Sequence, residues 1–124
     1  MRLLVAEDEP KIGIYLQQGL NEAGFNVDRF TNGKEALQHA LSEAYDLLIL
    51  DVMMPEIDGL EALQNIKEKH PEIRVIMITG NPSVENVQES IQGGASGFIV
   101  KPFNTAKVLD TLHKTLDNMS RETQ

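Results

Sequence analysis

Short apolar runs alternate with amphipathic stretches along the whole chain, and few folds are compatible with that alternation. Runs of mostly apolar residues occur at positions 3–6, 27–30, 47–50, 75–78 and 98–100. Four of these five runs are nearly continuous in apolar residues, which is typical of strands buried on both faces of a parallel sheet. The second run alternates apolar and polar residues, which indicates an edge strand with one face closer to water.

A stretch with helical periodicity follows each run. In residues 12–23 apolar side chains recur at spacings of three and four, and the same period returns after every later run. Asn32, Asn81 and Asn104 are predicted to cap the second, fourth and fifth helices. The pattern is therefore (βα)5, which predicts an α/β fold with a parallel sheet and helices on both of its faces. In such sheets ligands bind beyond the carboxyl ends of the strands.

Length and composition exclude several classes of protein. The chain has 124 residues, enough for one domain, which we expect at residues 1–118 with a polar tail at 119–124. It contains no cysteine, which excludes a disulfide scaffold and a thiolate metal site. No apolar run approaches the roughly 20 residues that span a bilayer, and the sequence turns acidic at Glu7, too early for a signal peptide. We therefore expect a cytoplasmic protein without membrane contact. The formal charge of −8 argues against direct binding to nucleic acid.

The first residues beyond the strands form an unusual set. Acids follow the first run (Glu7, Asp8) and the third run (Asp51), Thr79 follows the fourth, and Lys101 follows the fifth. If the first and third strands are neighbours, about 4.8 Å apart, the three carboxylates converge. Carboxylates this close raise one another's pKa unless a cation shares them, and Mg²⁺ is a suitable cation for oxygen ligands. Lys101 can pair with a carboxylate or an incoming anion, and Thr79 offers a hydroxyl donor.

Together these groups predict phosphoryl transfer to Asp51. A carboxylate is already a nucleophile at neutral pH, so it needs no general base to form an aspartyl phosphate. Phosphoryl transfer demands mainly positioning and neutralisation of charge, which the metal, Lys101 and Thr79 would supply. Taken singly, each residue is also common in an ordinary loop or at a strand end.

Four segments of the sequence resemble the receiver domain of bacterial two-component response regulators. They are Glu7-Asp8, DVMMPEIDG at 51–59, Thr79-Gly80 and GASGFIVKPF at 94–103. The part through Asp58 resembles receivers that precede a winged-helix DNA-binding domain, whereas residues 94–98 are closer to chemotaxis-type, single-domain regulators. The resemblance implies a flavodoxin-like (βα)5 sandwich of three layers, with a five-stranded parallel sheet in the order 2-1-3-4-5.

The resemblance also implies roles for individual residues. Asp51 would accept a phosphoryl group from a sensor histidine kinase or a histidine phosphotransfer protein. Mg²⁺ would be held by Glu7, Asp8, Asp51 and the backbone carbonyl of Met53.

The remaining roles concern the response to phosphorylation. Thr79 and Lys101 match the family's switch hydroxyl and phosphate-pairing lysine, and Phe98 matches an aromatic ring that moves inward when Thr79 engages the phosphoryl group. The family commonly has a cis peptide where this chain has Lys101-Pro102. Phosphorylation would then change the surface of the fourth helix, fifth strand and fifth helix. That surface would control an output protein or an effector domain, and it is also where two copies of the chain would form a homodimer.

Three alternatives remain open at this stage. A flavodoxin-like carrier of a small molecule or nucleotide needs a loop rich in Ser, Thr or Gly after the first strand, but residues 7–10 are Glu-Asp-Glu-Pro. A Mg²⁺-dependent phosphohydrolase with an aspartyl nucleophile usually has a second acid two residues later, where this chain has Met53. The third alternative is a receiver-like protein that binds its partner without phosphorylation. A stand-alone regulator and the receiver of a longer protein are both consistent with the sequence.

Overall fold

A computed structural model describes residues 1–122 of the chain, without the side chains of residues 84 and 118–122. Each apolar run forms a strand and each amphipathic stretch forms a helix. The strands are β1 (Arg2–Ala6), β2 (Asn26–Phe30), β3 (Leu47–Asp51), β4 (Arg74–Thr79) and β5 (Gly97–Val100). The helices are α1 (Pro10–Glu22), α2 (Gly33–Ser42), α3 (Gly59–Lys69), α4 (Val84–Gln92) and α5 (Thr105–Glu122).

The strands form one parallel sheet in the order β2-β1-β3-β4-β5, which confirms the flavodoxin-like topology that the resemblance implies. The alternating second run lies at an edge, as predicted. In the pairing of β1 with β3, Ala6 lies opposite Leu50. The residues that follow this pair, Glu7 and Asp51, therefore come side by side at the carboxyl edge of the sheet.

Helices cover both faces of the sheet because successive residues of a strand point to opposite sides. On one face Leu4 packs in a buried cluster with side chains of α2 and α3, among them Leu63. On the other face Leu3 packs with side chains of α1 and α5, among them Leu20 and Leu112. Each of these buried leucines contributes about 2 kcal/mol of hydrophobic free energy. The predicted three-layer sandwich is confirmed, and it fixes the sheet edge where the polar residues meet.

Two of the three predicted helix caps are confirmed and one is wrong. Asn32 and Asn104 each accept a hydrogen bond at 2.8 Å from the backbone N–H three residues later. Asn81 does not cap α4. Ser83 does so, because its Oγ accepts the N–H of Asn86 at 3.1 Å. Asn81 stays in the preceding loop, where its backbone bonds to the last side chain of β4.

The helix α5 extends to Glu122, so residues 119–122 of the predicted polar tail continue this helix. The last two residues of that predicted tail, 123 and 124, lie outside the described residues. The domain boundary after residue 118 stays a prediction. Among residues 1–122, no helix combines the length and the apolar character needed to cross a bilayer.

Candidate functional site

Three acidic side chains meet at the carboxyl edge of the sheet, where β1 and β3 end. One carboxylate oxygen from each of Glu7, Asp8 and Asp51 lies within 4.8 Å of the other two. Glu7 is fully buried and Asp51 is 2% exposed, whereas Asp8 faces solvent. The convergence expected from neighbouring strands is therefore present in the structure.

A lysine from the β5–α5 loop reaches across to these acids. Lys101 Nζ donates to Asp51 Oδ2 at 2.6 Å and to Glu7 Oε1 at 3.0 Å. The peptide bond between Lys101 and Pro102 is cis, in agreement with the resemblance. Burial by itself would lower the pKa of Lys101, but the hydrogen bonds to Asp51 and Glu7 outweigh burial and raise it. Lys101 is therefore charged at neutral pH and offsets part of the negative charge of the cluster.

Glu7 carries the least satisfied atom of the cluster. Its Oε2 lies 3.0 Å from Lys101 Nζ but outside hydrogen-bonding geometry, so it is buried without a donor among the described residues. Its Oε1 accepts from Lys101 and from the N–H of Glu9 at 3.1 Å. Burial, reinforced by a hydrogen bond to Asp51, raises the pKa of Glu7 to about 8. A hard divalent cation would satisfy both features, and carboxylate oxygens are the ligands that Mg²⁺ prefers.

The β3–α3 loop (residues 52–58) holds Asp51 from the opposite side. The N–H of Met53 donates to Asp51 Oδ1 at 3.0 Å. Each oxygen of this carboxylate therefore has one donor, a backbone N–H at Oδ1 and Lys101 at Oδ2. Gly59, the first residue of α3, lies so close that a Cβ there would be 2.0 Å from the carbonyl oxygen of Asp51. The two hydrogen bonds orient the Asp51 side chain, and the close approach of Gly59 restricts the position of its backbone.

Thr79 follows the residue of β4 that pairs with Asp51, whereas Phe98 lies on the edge strand β5, and neither forms a hydrogen bond with the acidic cluster. Thr79 is fully buried at the end of β4, and its hydroxyl donates to the carbonyl of Asn81 at 3.2 Å. The N–H of Asn81 donates back to Thr79 Oγ1 at 3.0 Å. Phe98 lies opposite Met77 in the pairing of β4 with β5 and is half-buried against the core. The hydroxyl of Thr79 is therefore engaged with the loop before α4.

An open cavity of about 440 Å³ adjoins the cluster, and no motif in the sequence indicates it. It lies between α1 and the β5–α5 loop, with Lys101 on its wall and the apolar faces of Ile12 and Phe103 along its sides. Tyr15 also lines the cavity, and its hydroxyl accepts the N–H of Thr105 at 3.1 Å. Tyr15 falls on the apolar face of α1 in the sequence pattern, so periodicity alone gives no signal of this polar contact.

Solved structures of receiver domains share this fold. The CheY-like response regulator receiver domain protein of Methanospirillum hungatei JF-1 has a TM-score of 0.93 at 30% identity, over 98% of this chain and 97% of that chain. DrrB of Thermotoga maritima, an OmpR/PhoB homolog, has a TM-score of 0.86 at 30% identity, over 95% of this chain and 53% of that chain.

Sequence comparison leads to the same family. The transcriptional regulatory protein PcoR of Escherichia coli is 39% identical over 108 residues, which are 87% of this chain and 48% of that protein. The chain spans about half the length of the curated relatives it matches. The family model of the response regulator receiver domain matches residues 3–113. Because this match covers most of the chain, the protein belongs to the family of response regulator receiver domains of two-component systems.

Proposed function

We propose that this protein is a phosphorylation-controlled switch whose phosphoacceptor is Asp51. The donor would be the phosphohistidine of a sensor histidine kinase or of a histidine phosphotransfer protein in the cytoplasm. One observation carries the proposal: Asp51 bonds to Lys101 at 2.6 Å, and the carboxylates of Glu7 and Asp8 lie within 4.8 Å of it. A nucleophile, a fixed positive charge and two further acids in one place suit phosphoryl transfer.

Mg²⁺ fits this donor set. Glu7, Asp8, Asp51 and the backbone carbonyl of Met53 would hold it, and the buried Oε2 of Glu7 without a donor supports that assignment. Bound there, the ion would neutralise the carboxylates and polarise the phosphoryl oxygens.

The residues of the chain supply the rest of the transfer step. A carboxylate oxygen of Asp51 attacks phosphorus, and a P–O bond forms while the P–N bond to the donor histidine breaks. The histidine nitrogen keeps the electron pair of the broken bond. Met53 and Lys101 orient Asp51 for the attack, and Lys101 then pairs with the transferred phosphoryl group. Hydrolysis later releases inorganic phosphate and restores the carboxylate.

Thr79 would transmit the phosphorylation of Asp51 to the rest of the domain as a conformational change. To donate to a phosphoryl oxygen, its hydroxyl must leave the carbonyl of Asn81, and the loop before α4 shifts with it. Phe98, half-buried on the neighbouring strand, then has space to turn inward. Light anchoring of α4 supports this movement, because Ser90 is the one fully buried residue among its described side chains.

The surface formed by α4, β5 and α5 would control an output protein or an effector domain. The relatives named transcriptional regulatory proteins are about twice as long as this chain, which supports an output outside the matched region. Ile91 of α4 is 66% exposed and Val100 of β5 is 42% exposed. Two copies of the chain would form a homodimer through this partly apolar surface. The charge of −8 favours a protein partner over direct contact with nucleic acid.

A phosphohydrolase that turns over external substrates is less well supported. Such an enzyme needs an acid or base beside its nucleophile, and the position two residues after Asp51 is Met53. The side chain of Met53 is apolar and 66% exposed, so it supplies neither a proton nor a proton acceptor.

The proposal is tested by the intact mass of the full chain after incubation with acetyl phosphate. We expect one added phosphoryl group with Mg²⁺, none with chelator, and none in Asp51→Asn. Asp58→Asn is the matched control, because Asp58 lies in the same loop and caps α3, and asparagine caps equally well. This control should be labelled like the unchanged protein. Labelling of Asp51→Asn, or equal labelling in chelator, would contradict the proposal.

Fluoroberyllate, a stable mimic of the phosphoryl group, distinguishes two reasons for a missing adduct. Mg²⁺-dependent binding that Asp51→Asn abolishes would show that the site accepts a phosphoryl group and that the adduct is short-lived. Failure to bind, with Mg²⁺ binding intact, would replace the proposal by a receiver that works without phosphorylation.

A further inference from the structure

The start of α2 lies directly against the β3–α3 loop. Gly33 is the first residue of α2 and is buried. Its N–H donates to the carbonyl of Pro55 at 3.3 Å. A Cβ at this position would lie 1.6 Å from the carbonyl oxygen of Ile57 and 2.6 Å from its carbonyl carbon. Any residue other than glycine therefore requires one of the two segments to move.

Space, rather than backbone conformation, requires glycine at this position. Gly24 and Gly94 have the positive φ angles of 99° and 96° that favour glycine, whereas Gly33 is an ordinary helical residue. The overlap at Gly33 is with the backbone of Ile57, so rotation of a side chain cannot relieve it. The distance between α2 and the loop is thus fixed by contact between two backbones.

The loop can pass a displacement on to Asp51. The N–H of Ile57 donates to the carbonyl of Pro55 at 2.8 Å across a tight turn in which Glu56 has a φ of 69°. A further backbone hydrogen bond closes the loop: the N–H of the first residue of α3 donates to the carbonyl of the first residue of the loop at 2.9 Å. A segment closed in this way shifts as a unit. The N–H of Met53, which bonds to Asp51 Oδ1, belongs to it.

We propose that Gly33 is a positioning residue of the phosphoacceptor site. Through the β3–α3 loop, its contact with Ile57 sets the position of Met53, whose N–H orients Asp51. The part of this inference that concerns the metal rests on the proposed function, in which the carbonyl of Met53 is a Mg²⁺ ligand. The helix α2 contributes no side chain to the acidic cluster, yet its first residue determines the geometry of that cluster.

The variant Gly33→Ala tests this role with two measurements that do not depend on phosphorylation. In the full chain without metal, the amide resonances of Asp51 and Met53 should shift in a ¹H–¹⁵N correlation spectrum, while that of Lys101 should stay in place. In calorimetric titration with MgCl₂, the dissociation constant should rise by about tenfold, as is common when a residue that supports metal ligands is changed.

Gly13→Ala is the matched control. Gly13 also lies in a helix, and a Cβ there would meet the flexible side chain of Arg29 at 3.0 Å rather than a backbone. The Mg²⁺ dissociation constant of this control should stay within about twofold of the original value. A folded Gly33→Ala protein with unchanged Met53 resonance and unchanged Mg²⁺ affinity would overturn the inference, because α2 would then have moved instead of the loop.

A second variant covers the case in which Gly33→Ala does not fold. Asn32→Ala removes the cap of α2 and loosens the turn that holds Gly33, without adding an atom at the contact. The Met53 resonance should shift and Mg²⁺ should bind several-fold more weakly, whereas an unchanged Met53 resonance would overturn the inference. If the unchanged protein binds no Mg²⁺, the proposed function fails, and the resonances in the metal-free chain still decide the role of Gly33.

Discussion

Replacing Lys101 by methionine measures how strongly this lysine holds the acidic edge together. Methionine keeps the apolar stem but removes the ammonium that bonds to Asp51 at 2.6 Å and to Glu7 at 3.0 Å. Loss of one partner from a buried ion pair costs about 3–5 kcal/mol. The Lys101 side chain is 20% exposed, and Glu7, whose pKa is raised, readily takes up a proton. We therefore expect the lower end of that range, a loss of about 3 kcal/mol in the free energy of unfolding.

Urea unfolding followed by circular dichroism measures this loss, at pH 7 and in the presence of chelator. Lys114→Met is the matched control. Lys114 also pairs with a carboxylate, Asp110 at 3.1 Å, but the two side chains are 74% and 53% exposed, so this variant should change stability little. Saturating Mg²⁺ should recover more stability in Lys101→Met than in the unchanged protein, because removing a positive charge strengthens the binding of another cation.

Two results would refute this reasoning. Equal losses in the Lys101 and Lys114 variants in chelator would show that the buried carboxylates do not depend on Lys101. A larger loss in Lys101→Met that Mg²⁺ does not reduce would show that packing of the lysine stem, rather than its charge, stabilises the edge.

Three further predictions follow from individual contacts. Because the pKa of Glu7 rises from 4.5 to about 8 on folding without metal, its contribution to stability is present below pH 4.5 and is lost as pH rises towards 8. In urea unfolding with chelator, Glu7→Gln should flatten the dependence of the free energy of unfolding on pH. An unchanged pH profile in this variant would contradict the assignment to Glu7. Ser83→Ala should lower the free energy of unfolding by about 1 kcal/mol through loss of the α4 cap, and an equal loss in Asn81→Ala would refute that assignment. Tyr15→Phe should accelerate hydrogen exchange at the N–H of Thr105 with little effect on Mg²⁺ affinity, whereas unchanged exchange would show that the hydroxyl does not protect this amide.

The periodicity of the sequence predicts the number and kind of elements but does not determine their neighbours. An apolar run shows that a strand is buried, not which strand lies beside it, so the order of the sheet came from the family resemblance. The alternating β2 is recognisable as an edge strand. The other edge strand, β5, is not, because Phe98 and Val100 are apolar although they are only partly buried. Their exposure belongs to the surface proposed for the output partner.

The acidic cluster was predictable from the sequence because residues that follow neighbouring parallel strands lie close together. Glu7, Asp51 and Lys101 each stand at the end of a strand, and parallel strands end at the same edge. The engagement of Thr79 with the following loop was not predictable. Asn81 and Ser83 both have side chains that suit a helix cap. Because α4 begins at Val84, Ser83 takes the cap position, while the backbone of Asn81 bonds to the Thr79 hydroxyl in the loop before it.

The contacts that orient the site residues are harder to predict from the sequence than the site residues themselves. Gly33 follows a good cap and begins a helix, so its sequence context gives an ordinary reason for its presence. Nothing local indicates that a carbonyl 24 positions later occupies the space of its missing side chain. A large-to-small change in the core leaves a cavity that partly relaxes in place, whereas a backbone overlap at Gly33 or Gly59 must displace one of the two backbone segments that meet there. Substitutions that disturb the acidic cluster without replacing its acids are therefore expected at these two glycines before they are expected in the core.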